Sequence, residues 1–175
     1  MPGQGHKPVA TVFPRKGSTM DLNPEPPKNA AALVKESEKA LLQKLHYVPL
    51  FSGLKDKQLK AILASGKQQS YPEGRVIVGE GEGGVGFYLI LDGGVEVRRK
   101  RKAIAKLGSG NFFGEMSLLD SNPRSSDVVA VAPTTCLVLS SWEFQGLVES
   151  HNEIAMNLLK TLIHRLRESN KALSD

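Results

Sequence analysis

The chain has 175 residues, and 23 Lys+Arg against 18 Asp+Glu give a formal net charge of +5. Its 40% apolar and 23% charged residues are ordinary for a globular protein, and its length allows one domain with a tail but not two full domains. The longest apolar runs, such as Phe87 to Leu91, fall far short of the ~20 residues a bilayer crossing needs, and no apolar segment follows the N-terminal basic residues as in a secretory signal. The single Cys136 excludes a disulfide scaffold, and a reducing cytoplasm is the expected setting.

Residues 1–28 hold six of the ten prolines, with Gly3, Gly5 and Gly17 and few large apolar side chains. Such a stretch cannot bury enough surface to offset its ordering entropy, so a disordered tail is expected there. Within it, Arg15-Lys16-Gly17-Ser18 has the make-up of a basophilic kinase site, of a weak pseudosubstrate, or of a plain basic patch. Helices are expected over 29–70. Asn29 suits an N-cap, Leu33, Leu41, Leu42 and Leu45 recur at helical spacing, and Pro49 closes the run. Leu50-Phe51-Ser52-Gly53-Leu54 reads as a turn, and Lys55 to Ala64 as a second short helix with Leu59, Ile62 and Leu63 on one side.

Over 71–140 the texture becomes β-rich. Short runs at Val76–Val78, Phe87–Leu91, Val95–Val97, Ile104–Leu107, Val128–Val131 and Cys136–Leu139 are punctuated by eleven glycines between Gly74 and Gly114. Many short strands with frequent turn signals predict a roll of jelly-roll type. Over 141–175 helices return, one near Trp142 and a longer one from about Asn152 with Ile154, Leu158, Leu159, Leu162, Ile163 and Leu166 apolar. The predicted fold class is mainly β with flanking helices, a double-stranded β-helix carrying N-terminal helices and a long C-terminal helix.

None of His6, His46, His151 and His164 falls inside the predicted roll. A metal enzyme on such a roll would present imidazoles or clustered carboxylates from its strands, so neither a metal site nor catalysis is expected. Cys136 sits mid-strand among apolar neighbours and reads as a buried structural thiol. Gly79-Glu80-Gly81-Glu82-Gly83-Gly84 has the letters of a GxGxxG phosphate loop, but a strand follows it where a helix should open, and its glutamates would repel a phosphate. It reads as a strand-connecting turn.

The segment Gly110-Asn111-Phe112-Phe113-Gly114-Glu115-Met116-Ser117-Leu118-Leu119-Asp120-Ser121-Asn122-Pro123-Arg124-Ser125-Ser126 carries more chemistry. Gly114 ends a strand, Glu115 to Leu119 form one helical turn with free N–H groups, and Pro123 restarts an extended chain bearing Arg124. Exposed amides with one guanidinium suit a single phosphate. Glu115 accepts only, so it needs a hydroxyl donor such as a ribose 2′-OH. Phosphate and ribose hydroxyl together describe a nucleotide.

With Phe113-Gly114-Glu115 and Pro123-Arg124 at this spacing, Val48-Pro49-Leu50-Phe51 and Phe87-Tyr88-Leu89-Ile90-Leu91-Asp92-Gly93, the chain from about Val48 to Glu168 resembles the cyclic nucleotide-binding domain family. That family includes catabolite activator-type regulators, protein kinase A regulatory subunits and cyclic nucleotide-gated channels. The resemblance implies a phosphate-binding cassette over 113–126. Glu115 would take the ribose 2′-OH and Arg124 the exocyclic phosphate oxygen, with Gly114, Met116, Ser125 and Ser126 completing the cassette. Ser126-Asp127 departs from the family's usual Ala followed by Thr or a similar small residue, and strand alternation is expected to turn Asp127 outward. By the same resemblance, Ser169 or Asn170 near the end of the last helix would meet the base, and cAMP is favoured over cGMP.

Ala155, Leu159, Leu162, Leu166, Ser169 and Leu173 are spaced 4, 3, 4, 3, 4, a coiled-coil seam that predicts a homodimer, with Ile154, Leu158 and Ile163 facing the domain. Arg98-Arg99-Lys100-Arg101-Lys102 reads as a solvated hairpin tip or as a docking site for an acidic partner or anionic lipid. The expectation is a stand-alone, non-catalytic sensor of cAMP or cGMP with no other cofactor. It would signal through its last helix to a dimer interface or an unknown protein effector, with no helix-turn-helix for DNA before Asp175. The alternative is a ligand-independent scaffold, or a sensor of another anion such as cyclic di-GMP.

Overall fold

The computed structural model describes residues 30–172 and Ser174, with side chains from Glu36 onward. The expected tail with its Arg15–Ser18 motif, the Asn29 cap, the Leu33 side chain and Leu173 lie outside the described residues. In chain order the elements are α1 (Ala30–His46), a 3₁₀ turn (Pro49–Phe51), α2 (Asp56–Ser65), β1 (Lys67–Tyr71), β2 (Val76–Val78), β3 (Gly86–Asp92), β4 (Gly94–Arg99) and β5 (Lys102–Gly108). There follow β6 (Phe112–Phe113), α3 (Glu115–Leu119), β7 (Asp127–Ala130), β8 (Thr134–Ser140), α4 (Ser141–Ser150) and α5 (Asn152–Ala172).

The strands form two four-stranded antiparallel sheets, ordered β1-β8-β3-β6 and β2-β7-β4-β5. The predicted class, mainly β with flanking helices, is the observed one. Period-two alternation builds two cores from one sheet. On β3, Phe87, Leu89 and Leu91 join Leu137 and Leu139 of β8 and Phe112 of β6 in a cluster with Leu45, Phe51, Phe144, Ile154 and Leu158 from the helical elements. Ile90, Cys136 and Phe113, from the same three strands, face the roll interior with Val78, Val95 and Val128. The helices therefore cover the outer face of the first sheet, and α5 is tied to the N-terminal part by Asn157, whose side chain donates to the carbonyls of Leu50 (3.2 Å) and Ser52 (3.0 Å).

Three sequence expectations shift. The first strand begins at Lys67, ahead of the expected Tyr71, because Lys67-Gln68-Gln69-Ser70 lacks apolar alternation and becomes a strand only by pairing with β8. Ile163 does not face the domain: it is 43% exposed, while Leu162 packs against the helical core. The uncovered apolar stripe of α5 is consequently Met156, Leu159, Ile163 and Leu166, 43–60% exposed, and not the predicted seam of Ala155, Leu159, Leu162, Leu166, Ser169 and Leu173. Leu159 and Leu166 are common to both.

The basic run makes a two-residue β4–β5 hairpin, with Arg99 paired to Lys102. Lys100 and Arg101 at its tip both have positive φ, 49° and 67°, matching the twist of tight hairpins. Side chains at such angles cost about 1 kcal/mol each relative to glycine.

Candidate functional site

Arg124 is held by its backbone before its side chain does anything. Its N–H donates to the Glu82 carbonyl and its own carbonyl accepts from Gly81, both at 2.8 Å. The segment Gly79–Gly84 is the strand-connecting turn read from sequence, between β2 and β3, and it also positions the arginine. The guanidinium, 6% exposed as a residue, donates from Nη1 to the Gly114 carbonyl (2.6 Å) and Ser117 Oγ (2.8 Å), and from Nη2 to the Gly86 carbonyl (2.7 Å). An arginine has five N–H groups. Nε and one Nη2 hydrogen thus keep no acceptor among the described residues, and together they form the side-on fork that suits phosphate or carboxylate. Burial lowers the Arg124 pKa from its ordinary value, and Tyr88, Glu115 and Glu82 counteract it.

Glycine is required where the chain wraps this group. Gly114, at φ 89°, would place a Cβ 2.7 Å from the Gly86 carbonyl and 2.9 Å from Arg124 Nη1. A Cβ on Gly84 would collide with the Ser117 side chain.

Glu115 opens α3 and is 2% exposed. Its Oε1 accepts from Arg165 Nη1 of α5 at 2.9 Å. Arg165 also donates from Nη2 to the Phe112 carbonyl at 2.6 Å, and its guanidinium lies 4.7 Å from the centre of the Phe112 ring. One side chain of the C-terminal helix thus clasps the end of β6 and the first turn of α3. Burial raises the Glu115 pKa above its ordinary value, opposed by the Arg165 charge, its own backbone N–H and Arg124.

Of the residues singled out from sequence, Gly114, Glu115, Met116, Arg124, Ser125 and Ser126 come together around α3 and the start of β7. Glu115 and Arg124 are buried with Ser126 close behind at 9%, whereas Ser125 is exposed and Met116 is 53% exposed on α3. Ser169 and Asn170 are exposed on α5, and among the described residues neither side chain is hydrogen-bonded to the cassette. Ser169 stands one helical turn beyond Arg165, on the same side of α5. Asp127 is half-buried rather than turned fully outward, and its Oδ1 accepts from the Glu80 N–H at 2.7 Å. Its charge is engaged by that loop, and the guanidinium of Arg124 has other acceptors. Sequence reasoning missed Gly84, Ser117 and Arg165.

A cavity of about 350 Å³ flanks the outer side of the cassette, between Gly83–Gly84, Ser117, Pro123 and Gln145. A larger one, about 570 Å³, lies between α1, α2 and β1 beside Leu41, Leu63 and Gln68. Neither is lined by Glu115 or Arg124, whose polar atoms are gathered under Arg165 and against Gly86. Cys136 lies in the roll interior, its thiol pushed up to about 12 by burial, which leaves no thiolate for chemistry.

The β6–α3–β7 crossing of this roll buries a glutamate against the C-terminal helix and, beside it, an arginine against Gly86, Gly114 and Ser117, and that arrangement points to a class. The cyclic nucleotide-binding domain family matches residues 68–151, and the chain belongs to that family. It is 36% identical over 130 residues to the cyclic AMP receptor protein of Thermus thermophilus, covering 71% of this chain and 60% of the relative. It is 38% identical over 118 residues to a cyclic nucleotide-gated potassium channel of Rhizobium etli, covering 67% of this chain and 33% of the channel. A crystal structure of a cyclic nucleotide-binding domain from Methylobacillus flagellatus superposes with a TM-score of 0.67 at 28% identity, over 79% of this chain and 83% of that domain. The chain thus spans less than two thirds of either curated relative. No helix among the described residues is long and apolar enough to cross a membrane.

Proposed function

We propose that this chain is a non-catalytic cyclic nucleotide sensor, with cAMP favoured over cGMP. The cAMP preference draws on the Thermus relative, whose name is that of a cyclic AMP receptor. Arg124 offers its Nε/Nη2 fork to the exocyclic phosphate, and the amides of Gly114 and Ser125 add donors. Glu115 accepts the ribose 2′-OH. A carboxylate has about four lone-pair sites, so Glu115 can accept that hydroxyl while keeping Arg165. Nucleotide and α5 then meet on one carboxylate, and α5 carries occupancy to a second copy or to a protein effector. The stripe Met156, Leu159, Ile163 and Leu166 is the face on which a second copy would pack.

The observation that carries this reading is a 6% exposed arginine with an unused hydrogen-bonding fork beside a 2% exposed glutamate. Titration calorimetry and thermal unfolding with cAMP, cGMP and cyclic di-GMP test it. A ligand bound only by the folded state raises Tm by mass action. Arg124→Glu should abolish the rise seen with wild type; no heat and no shift with any of the three refutes the ligand. A second reading rests on the Glu115–Arg165 pair, which satisfies the cassette glutamate from within the chain. In it the domain is a ligand-independent scaffold, and partner capture survives Arg124→Glu.

A further inference from the structure

The β4–β5 hairpin and the strand that follows it have no part in the cassette. β5 is the edge of its sheet, carrying β4 on one side and no strand on the other among the described residues. Lys102, Ile104 and Lys106 are exposed along it, Ile104 by 57%. Of the five basic residues in the run, Arg98 is paired with Glu96 at 2.7 Å, whereas Arg99, Lys100, Arg101 and Lys102 form no ion pair among the described residues.

The tip shows what the sequence gives up to keep those charges. A two-residue hairpin with both φ values positive strongly prefers Asn-Gly, yet Lys100 and Arg101 stand there. The strained tip is held from outside: the Lys100 N–H donates to Glu80 Oε2 at 2.9 Å, which fixes the hairpin against the β2–β3 loop. A local rule broken without a local gain points to a use for the side chains.

We infer that the β5 edge with its basic tip is a docking site for an extended acidic segment of a partner protein, added as a further strand. Two features select that partner. The unpaired backbone of β5 offers hydrogen bonds that only another strand can use in register. The charges then decide which strand: a second copy pairing antiparallel about Ile104 would set Lys102 against Lys106, which like charges disfavour, while glutamates at those places meet both lysines and the tip. An anionic membrane would match the charge but leave the backbone edge unpaired.

The probe is a capped, fluorescein-labelled heptapeptide of alternating glutamate and valine, with glutamine replacing glutamate as control, titrated into the full chain by anisotropy. Hydrogen exchange of the β5 amides and phosphatidylserine vesicles run alongside. The glutamate peptide should bind, weaken about tenfold as the ionic strength is raised past screening, and protect β5 amides, while the glutamine peptide should not bind. Lys100→Asn/Arg101→Gly gives the turn its preferred residues, so it should raise Tm yet weaken the peptide about fivefold. Arg99→Glu/Arg101→Glu should abolish binding with unchanged circular dichroism. The inference is overturned by equal binding of the glutamine peptide, by binding without β5 protection, by unchanged affinity in the Asn-Gly variant, or by vesicle binding with no peptide binding.

Discussion

Arg165 is the side chain that joins α5 to Glu115 and Phe112, and the cost of its removal follows from those contacts. Arg165→Ala deletes the 2.9 Å pair with Glu115, the 2.6 Å bond to the Phe112 carbonyl and the contact with the Phe112 ring. Leaving a buried carboxylate unpaired costs about 3 kcal/mol or more when both partners are buried. The Arg165 side chain is 31% exposed, so about 2 kcal/mol is the fitting figure. The lost carbonyl bond adds about 1 kcal/mol and the ring contact about 0.5 kcal/mol. The total, about 3.5 kcal/mol, lowers Tm by roughly 10 °C in a domain of this size. Glu115→Gln spares the last two contacts and the cost of burying a charge, so it should cost about 1 kcal/mol or less. In that background Arg165→Ala should cost only about 2 kcal/mol, a coupling of about 1.5 kcal/mol between the two residues.

The assay is urea denaturation of wild type, both single variants and the double variant, repeated from neutral pH downwards. Burial holds the folded-state pKa of Glu115 above its ordinary 4.5, and losing Arg165 removes a lowering influence, so it rises further. A carboxyl with a raised folded pKa contributes its full stability below the unfolded value and loses it as pH climbs through the folded one. The deficit of Arg165→Ala should therefore be largest at pH 7 and shrink as the pH falls toward 4.5. Coupling below about 0.5 kcal/mol, or a deficit independent of pH, refutes the reasoning.

Gly114→Ala forces a side chain onto a φ of 89° with its Cβ 2.7 Å from a carbonyl, so it should destabilise by about 2–3 kcal/mol and weaken cAMP more than its loss of stability explains, by calorimetry on folded protein. Phe144→Ala empties a fully buried site stacked 4.5 Å from Phe87 and should cost about 3–5 kcal/mol by denaturation, with cassette affinity kept once folded. If the chain self-associates through this stripe as proposed, Leu159→Glu/Leu166→Glu, at residues 50% and 60% exposed, should shift sedimentation towards monomer while circular dichroism is unchanged. The Cys136 thiol, pushed up to about 12, should resist a thiol reagent at pH 8 until denaturant is added.

Much of this was legible in the residues, and the reasons differ by element. β3 and β8 alternate between two apolar faces, so Phe87–Leu91 and Cys136–Leu139 read as strands from composition alone. β1 did not, because it is polar, and β6, two residues and too short for any period, was legible only as the strand that Gly114 ends. Glu115 and Arg124 were visible through chemistry: an acceptor-only carboxylate and a guanidinium beside free amides. Arg165 was not, because an arginine on a helix ordinarily belongs to the solvated face. The signal existed all the same: Ile154, Leu158 and Leu162 make a core-facing ridge on α5, and its next position is 165. The seam of α5 was misassigned for a related reason. Leu162 and Ile163 are adjacent, both apolar, and about 100° apart around the helix, so only packing against the roll decides which one turns in.

The Glu115–Arg165 pair also fixes how tightly nucleotide and helix can influence each other. Under the proposed function, the ribose hydroxyl and Arg165 share one carboxylate, so whatever strengthens one strengthens the other through the charge state of Glu115. Coupling free energies are reciprocal, and about 1.5 kcal/mol corresponds to roughly a tenfold change in affinity in either direction. A partner that seats α5 on the cassette should tighten nucleotide binding by no more than that, and saturating nucleotide should favour the seated helix by the same factor. That is too little to drive a 1:99 to 99:1 switch, which needs about 10⁴-fold. A sensor built on this single clasp therefore grades its output unless a second contact on α5, such as self-association through Met156, Leu159, Ile163 and Leu166, adds to it. Nucleotide affinity measured across protein concentrations distinguishes the two: a graded clasp gives one affinity throughout, and a clasp joined to dimerisation gives an affinity that rises as the chain associates.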